Sequence, residues 1–297
     1  MIADDDHLAH YLATEAGRRL LGLRERADFG DQTALRAAGD RISHEYLTAA
    51  LAAHRHGDAL LSEEGKDDPA RVEAHRVWIV DPLDGTREFG EAGRTDWAVH
   101  VALWARTTGQ AQTDDAGGEA GSPAGHPAAA RTAPHGAPSG RLVAGAVALP
   151  AQGQTFSTAP HGLDGAARPA GAADRLKIVV SRTRAPEFVR SIAAGIGADL
   201  IPLGSAGAKI IAVVTGDADA YIHSGGQYEW DSAAPAAVAH AAGLHASRID
   251  GRPLVYNRPD PRLPDILVCR PEIAGMLLAA IRSANTTDRP AAGQVTS

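Results

Sequence analysis

Three short acidic segments carry the residue types best suited to chemistry in this chain: Glu63-Glu64, Asp81-Pro-Leu-Asp84-Gly85-Thr86 and Trp230-Asp231. Hard divalent cations such as Mg²⁺ take oxygen ligands, usually a few carboxylates with water and a substrate phosphate completing the shell. Asp81 and Asp84 straddle a Pro-Leu turn, so both side chains and the Leu83 carbonyl can face one cavity. Gly85 and Thr86 follow at once, and a helix starting there would offer free N–H groups as an anion site beside the cations. Phosphate-ester hydrolysis needs this combination, because divalent cations activate water and neutralise charge developing on the leaving oxygen. Each segment alone also has a plain structural explanation. Asp-Gly is a common turn, Asp at a helix start is a common cap, and Glu-Glu after a strand is usually solvated.

Rigid backbone must aim these side chains at one point. Apolar residues from Leu8 to Leu23 recur at helical spacing, and a second amphipathic helix is expected to start near Asp40, with Ile42, Tyr46, Leu47 and Leu51 inward. Strand-like runs follow at Ala59-Leu60-Leu61, just before Ser62-Glu63-Glu64, and at Val77-Trp78-Ile79-Val80, just before Asp81. Trp97 to Trp104 and Leu142 to Leu149 also read as strands. From about Arg106 to Gly140 the chain is rich in Gly, Ala, Pro and Ser and lacks large apolar residues, which predicts a mobile insertion between two strands. After a second small-residue stretch near Pro160–Asp174, strands and helices alternate. The strands fall at Lys177–Ser181, Leu200–Leu203 and Ala220–His223, and the helices at Pro186–Ile196, Ala206–Val214 and after Trp230, implying a layered α/β second half. Residues from Ser283 to Ser297 read as a frayed tail.

The composition closes off several function classes. A hydrophobic fraction of 44 % and a charged fraction of 22 % over 297 residues are those of a globular protein with a sizeable core. A net charge of −7 argues against a sequence-independent grip on nucleic acid. No run approaches the ~20 apolar residues of a membrane span, and the acidic start Asp4-Asp5-Asp6 is unlike a secretory signal, so a cytoplasmic location is expected. Cys269, the sole cysteine, lies in the apolar run Ile266–Cys269 and reads as a buried strand thiol.

Taken in order, the acidic segments resemble a known family. Trp78-Ile-Val-Asp-Pro-Leu-Asp-Gly-Thr86 looks like the first signature of the inositol monophosphatase superfamily of Mg²⁺-dependent, lithium-sensitive phosphatases, and Trp230-Asp-Ser-Ala-Ala-Pro235 looks like its second. Ser62-Glu-Glu64 falls where that family keeps Gly/Ser-Glu-Glu, and Gly39-Asp40 where it keeps an Asp opening the second helix. The resemblance implies a five-layer αβαβα sandwich. Its α+β half would span residues 1–160, its α/β half residues 175–284, with a flexible tail over 285–297. It also implies roles. Glu63, Asp81 and the Leu83 carbonyl would hold a first Mg²⁺, Asp81, Asp84 and Asp231 a second, and a third, weaker ion would lie near Glu63. Asp40 and Thr86 would orient and deprotonate the attacking water, while Gly85 and Thr86 would hold the phosphate through their backbone N–H groups. A homodimer is the family expectation.

Substrate preference rests on further positions. Tyr221-Ile-His-Ser-Gly-Gly226 lacks the acidic residue with which inositol phosphatases bind an inositol hydroxyl. Ser181-Arg-Thr-Arg184 and Gly204-Ser-Ala-Gly-Ala-Lys209 resemble segments of bacterial 3′(2′),5′-bisphosphate nucleotidases, enzymes that clear 3′-phosphoadenosine 5′-phosphate (PAP) formed in sulfate assimilation. The match is inexact. Arg184 replaces a His, His223 an Arg, and the Ser-to-Lys loop is one residue longer. On this resemblance Ser181, Arg182, Arg184, Ser205, Lys209 and His223 would bind the substrate, with Arg184, Lys209 and His223 meeting its second phosphate. The alternatives are an inositol or fructose-1,6-bisphosphate phosphatase, a broad-specificity enzyme, or a non-enzymatic protein that kept the fold. The full acidic set, with no ligand lost, disfavours the last.

Overall fold

The computed structural model describes residues 2, 4–107, 139–164, 166, 175–183 and 185–287. Two long helices come first, α1 (Asp5–Glu25) and α2 (Gln32–His54). They are followed by β1 (Ala59–Ser62), β2 (Arg76–Asp84), the single-turn α3 (Thr86–Phe89), β3 (Ala98–Arg106), β4 (Gly140–Leu149) and β5 (Gln154–Ser157). The strands form one sheet in the order β1-β2-β3-β4-β5, with β1 and β2 parallel and the later pairs antiparallel. The insertion expected between β3 and β4 lies almost entirely outside the described residues. Its two ends meet, Thr107 N donating to Ser139 O at 2.9 Å.

The second half runs β6 (Lys177–Ser181), α4 (Glu187–Ile196), β7 (Asp199–Leu203), α5 (Ala206–Val214), β8 (Ala220–Tyr228), α6 (Glu229–Ala241), β9 (His245–Ser247), β10 (Arg262–Cys269) and α7 (Pro271–Thr287). Its sheet has the order β7-β6-β8-β10-β9, with β7, β6 and β8 parallel and β10 antiparallel to both neighbours.

Apolar patterning stacks these elements in five layers. Leu8, Leu12, Leu20 and Leu47 of α1 and α2 pack on one face of the first sheet, against Trp78, Val99, Val101 and Leu103. Side chains alternate along a strand, so Val77, Ile79 and Trp104 face the other way and join Ile210, Val213, Ala234 and Val238 of α5 and α6, together with Val179 and Ile266 of the second sheet. Ile178, Ile222 and Leu267 point from the far face of that sheet to Val189 and Ile192 of α4 and Leu277 and Ile281 of α7. The result is the αβαβα order. No described helix is long and apolar enough to cross a membrane.

Two expectations need correction, and one strand was not foreseen. Helix α2 begins at Gln32, where the Asp31 side chain accepts from Ala34 N at 2.9 Å, so Asp40 lies inside the helix and does not open it. Residues 283–287 of the expected tail complete α7, whose Leu277 and Ile281 are buried, and the rest of that tail, 288–297, lies outside the described residues. Strand β5, which sequence patterning did not suggest, pairs with the end of β4.

Candidate active site

Register brings the first acidic segments together. Parallel pairing of β1 with β2 places Ser62 beside Val80, so the chain leaves β1 at Glu63 next to Asp81, with Glu63 N bonded to Val80 O. Strand β2 then bulges between Asp81 and Asp84 against β3. Asp81 Oδ1 accepts from Leu83 N at 3.1 Å, and the Thr86 hydroxyl donates to Leu83 O at 3.0 Å, closing the turn into α3. Helix α2 braces this turn with one face. Ser43 Oγ donates to Pro82 O at 2.6 Å, and His44 Nδ1 lies 3.0 Å from Ser62 Oγ. Residues three and four apart share a helix face, so Asp40 points the same way, near enough to Thr86 for the hydroxyl to act on its carboxyl. Gly39 permits the approach, since a Cβ there would fall 2.7 Å from the Phe89 ring and 2.9 Å from Leu83.

Asp231 arrives from the other half. It sits in the first turn of α6, where its Oδ2 accepts from Tyr228 N at 2.6 Å and caps the helix. Oxygens of Asp81, Asp84 and Asp231 all lie within 4.8 Å of one another, and the charge of Glu63 acts on Asp81. Asp81 is 1 % exposed and Asp84 8 %. Such crowding disfavours ionisation. Burial and the charge of Asp231 push Glu63 up to about 7, and burial and Asp84 push Asp231 up to about 7. Burial and Glu63 raise Asp81 well above the usual carboxylate range. Asp84 goes the other way. Burial acts to raise it, but His100, with Lys209 and Ser205, outweighs that and holds it down to about 2.

All the donors here are carboxylates and one peptide carbonyl, a hard oxygen set that fits a small divalent cation. Bound positive charge would also relieve the repulsion that now favours protonated forms. Glu63, Asp81, Asp84, Asp231 and the Leu83 carbonyl are therefore the groups able to hold metal. Beside them, Gly85 and Thr86 open α3, where helix amides lack internal acceptors. Burial and the neighbouring Glu64 charge raise Asp40 to about 6, against the opposing influence of the Thr86 hydroxyl.

The positions expected to read the substrate divide. Lys209 is 6 % exposed and points inward, donating through Nζ to Ser205 O at 2.6 Å and Gly204 O at 3.1 Å. Its charge acts on Asp84, Glu88 and Asp231, so this cation, expected from sequence to meet the substrate's second phosphate, here faces the acidic cluster. Ser205 Oγ donates to Asp84 Oδ2 at 2.5 Å, so it too faces the acidic cluster. Arg182 is engaged by Glu88 and Glu91 at 2.8 and 2.9 Å, tying the two halves together across the short α3. Ser181 ends β6. His223 lies on β8, its Nε2 donating to Gly225 O at 2.7 Å and its ring stacked on Tyr221, whose other neighbour is the Lys209 ammonium. Arg184 lies outside the described residues.

Sequence reasoning missed His100. It is fully buried on β3 opposite Asp81, with Nε2 3.2 Å from Asp84 Oδ2 and Nδ1 donating to Trp230 O at 3.1 Å. A lone imidazole in the apolar run Trp97–Trp104 was the available signal. Glu229 was missed as well. This buried carboxylate, next to Trp230-Asp231, accepts from Asn257 N at 2.7 Å and Arg258 N at 2.9 Å. Arg71, which donates to Asn257 Oδ1 and holds Asp67, links that turn to the loop after Glu63-Glu64.

Comparison with known proteins agrees with this geometry. A family model described as "Inositol monophosphatase family" matches residues 9–111 and 137–286. A 3′-phosphoadenosine 5′-phosphate phosphatase of Mycobacterium leprae is 49 % identical over 278 residues, 94 % of this chain and 93 % of that protein. Its counterpart in Mycobacterium tuberculosis is 47 % identical over 271 residues, 91 % of this chain and 90 % of the relative. Among solved structures, CysQ from Bacteroides thetaiotaomicron, described as a bacterial member of the inositol monophosphatase family, superposes with a TM-score of 0.64 at 25 % identity, covering 89 % of this chain and 96 % of that one. Match, fold and acidic cluster converge: the chain belongs to the inositol monophosphatase family.

Proposed function

We propose that this protein is a Mg²⁺-dependent 3′(2′),5′-bisphosphate nucleotidase that hydrolyses 3′-phosphoadenosine 5′-phosphate to AMP and phosphate in the cytoplasm. The observation that carries the reading is 49 % identity, along 94 % of the chain, to a relative named for that activity. Two or three Mg²⁺ ions bound by Glu63, Asp81, Asp84, Asp231 and the Leu83 carbonyl would supply charge to draw electron density from the phosphorus and stabilise the leaving oxygen.

The chain's own groups do the rest. Backbone N–H groups of Gly85 and Thr86 hold two oxygens of the scissile phosphate. Thr86 Oγ1, whose proton rests on the Leu83 carbonyl, would turn it to the Asp40 carboxylate and take one from the attacking water. The water oxygen bonds to phosphorus as the P–O bond to the ribose breaks, and the ribose oxygen leaves to take up a proton from solvent. Lys209 and His100 keep Asp84 ionised from behind. The second phosphate would be met by His223 and by the basic segment that begins at Ser181.

Phosphate release from PAP, inositol 1-phosphate and fructose 1,6-bisphosphate at equal Mg²⁺ tests this reading. One charge-assisted contact to the extra phosphate is worth roughly 1.5–3 kcal/mol, or about 10- to 100-fold in kcat/KM. PAP is expected to exceed inositol 1-phosphate by at least that factor. An equal or reversed order would place the protein with the sugar and inositol phosphatases.

A further inference from the structure

Asp84 differs from its neighbours in the cluster in how many groups hold it. Its Oδ2 accepts from Ser205 Oγ at 2.5 Å and from Gly207 N at 2.7 Å, and His100 Nε2 lies 3.2 Å away. Ser205 Oγ in turn accepts from Ala208 N at 2.9 Å, which commits its single proton to Asp84. The loop that delivers these donors is fixed along its length. Gly204 N donates to Asp96 Oδ2 at 2.5 Å, and Lys209 Nζ holds the Gly204 and Ser205 carbonyls from inside. Ser205 adopts φ 46°, a conformation that residues with a side chain rarely take. At Gly207 a Cβ would sit 2.1 Å from His100 Nε2, so only glycine lets the amide and the imidazole converge on one oxygen.

We propose that Ser205 and Gly207 are positioning residues whose hydrogen bonds hold Asp84 Oδ2, with the His100 imidazole beside it, and turn Oδ1 to a cation, thereby selecting small octahedral ions over Ca²⁺. The inference rests on the metal-site reading above. Mg²⁺ takes oxygens at 2.0–2.1 Å in near-ideal octahedral order, whereas Ca²⁺ accepts more ligands at 2.3–2.6 Å and readily takes both oxygens of one carboxylate. An Asp84 held by one oxygen suits the first ion and denies the second its bidentate mode. Ser205 and Gly207 reach Asp84 from the other half of the chain, more than a hundred residues away, so cation choice depends on how the two halves dock.

Calorimetric titration of the chelator-treated protein with MgCl₂ and, separately, CaCl₂ tests the proposal. Ser205→Ala removes the hydroxyl. Ser205→Gly removes it and also relaxes the backbone. Both variants lose the α5 N-cap as well, so the readout is the ratio of the two ions' affinities, because a general loss of structure would lower both together. Both are expected to weaken Mg²⁺ by about 10-fold, the scale of one hydrogen bond to a charged group, while Ca²⁺ affinity holds or rises. The Mg²⁺-to-Ca²⁺ preference then falls by about 10-fold in each. A preference unchanged in both variants, or one in which the two ions weaken equally, would overturn the proposal. Wild-type protein that binds neither ion would instead overturn the metal-site reading.

Discussion

Asp81→Asn is expected to lower kcat for PAP by at least about 10²- to 10³-fold at saturating Mg²⁺, the scale on which lost transition-state charge stabilisation is felt. Asp81 lies at the centre of the cluster, 1 % exposed, with Glu63, Asp84 and Asp231 all acting on its charge. An amide in its place keeps the shape and removes the group able to serve two cations at once. The same substitution relieves repulsion in the metal-free protein, so the melting temperature without Mg²⁺ should hold or rise. That pairing separates a chemical loss from unfolding. Turnover within a few-fold of wild type would mean that Asp81 does not hold the cations.

Asp40→Asn has the next largest expected effect, about 10²- to 10⁴-fold in kcat, the range for a positioned general base. Asp40 stands on α2 apart from the three clustered aspartates and meets the site through Thr86, so Mg²⁺ affinity should change little. Only the ionised carboxylate can take a proton. With Asp40 raised to about 6, activity should climb as pH rises through that region, and the variant should lose this limb. Steady-state rates from pH 5 to 8 decide it. A variant that retains both its rate and its acid limb would remove Asp40 from the chemistry.

What the sequence made legible was local. Asp81, Leu83, Asp84 and Thr86 lie within one turn, so their spacing already implied convergence, and Glu63 followed an apolar run that had to pair with the strand carrying Asp81. Asp40 drew attention only through the family resemblance, and its placement at the start of a helix was wrong because Asp31, not Asp40, supplies the cap. The roles of Ser205 and Lys209 were hidden for a different reason. Their contacts with Asp84 span more than a hundred residues, and no periodicity encodes which side of a cleft a lysine faces. The ion pairs of Arg182, expected to bind substrate, were hidden because its partners, Glu88 and Glu91, belong to the other half of the molecule. His100 could have been flagged by asking why an imidazole stands in a strand of otherwise apolar side chains. Its alignment with Asp81 across the β2–β3 pair gives the answer.

The central claim is that the buried carboxylates exist to hold divalent cations that hydrolyse a phosphate ester. Phosphate release from PAP by chelator-stripped protein, followed as Mg²⁺ is returned, tests it most directly. The account predicts no release above background without metal and recovery of full turnover on adding Mg²⁺. Undiminished hydrolysis by the stripped protein would contradict it.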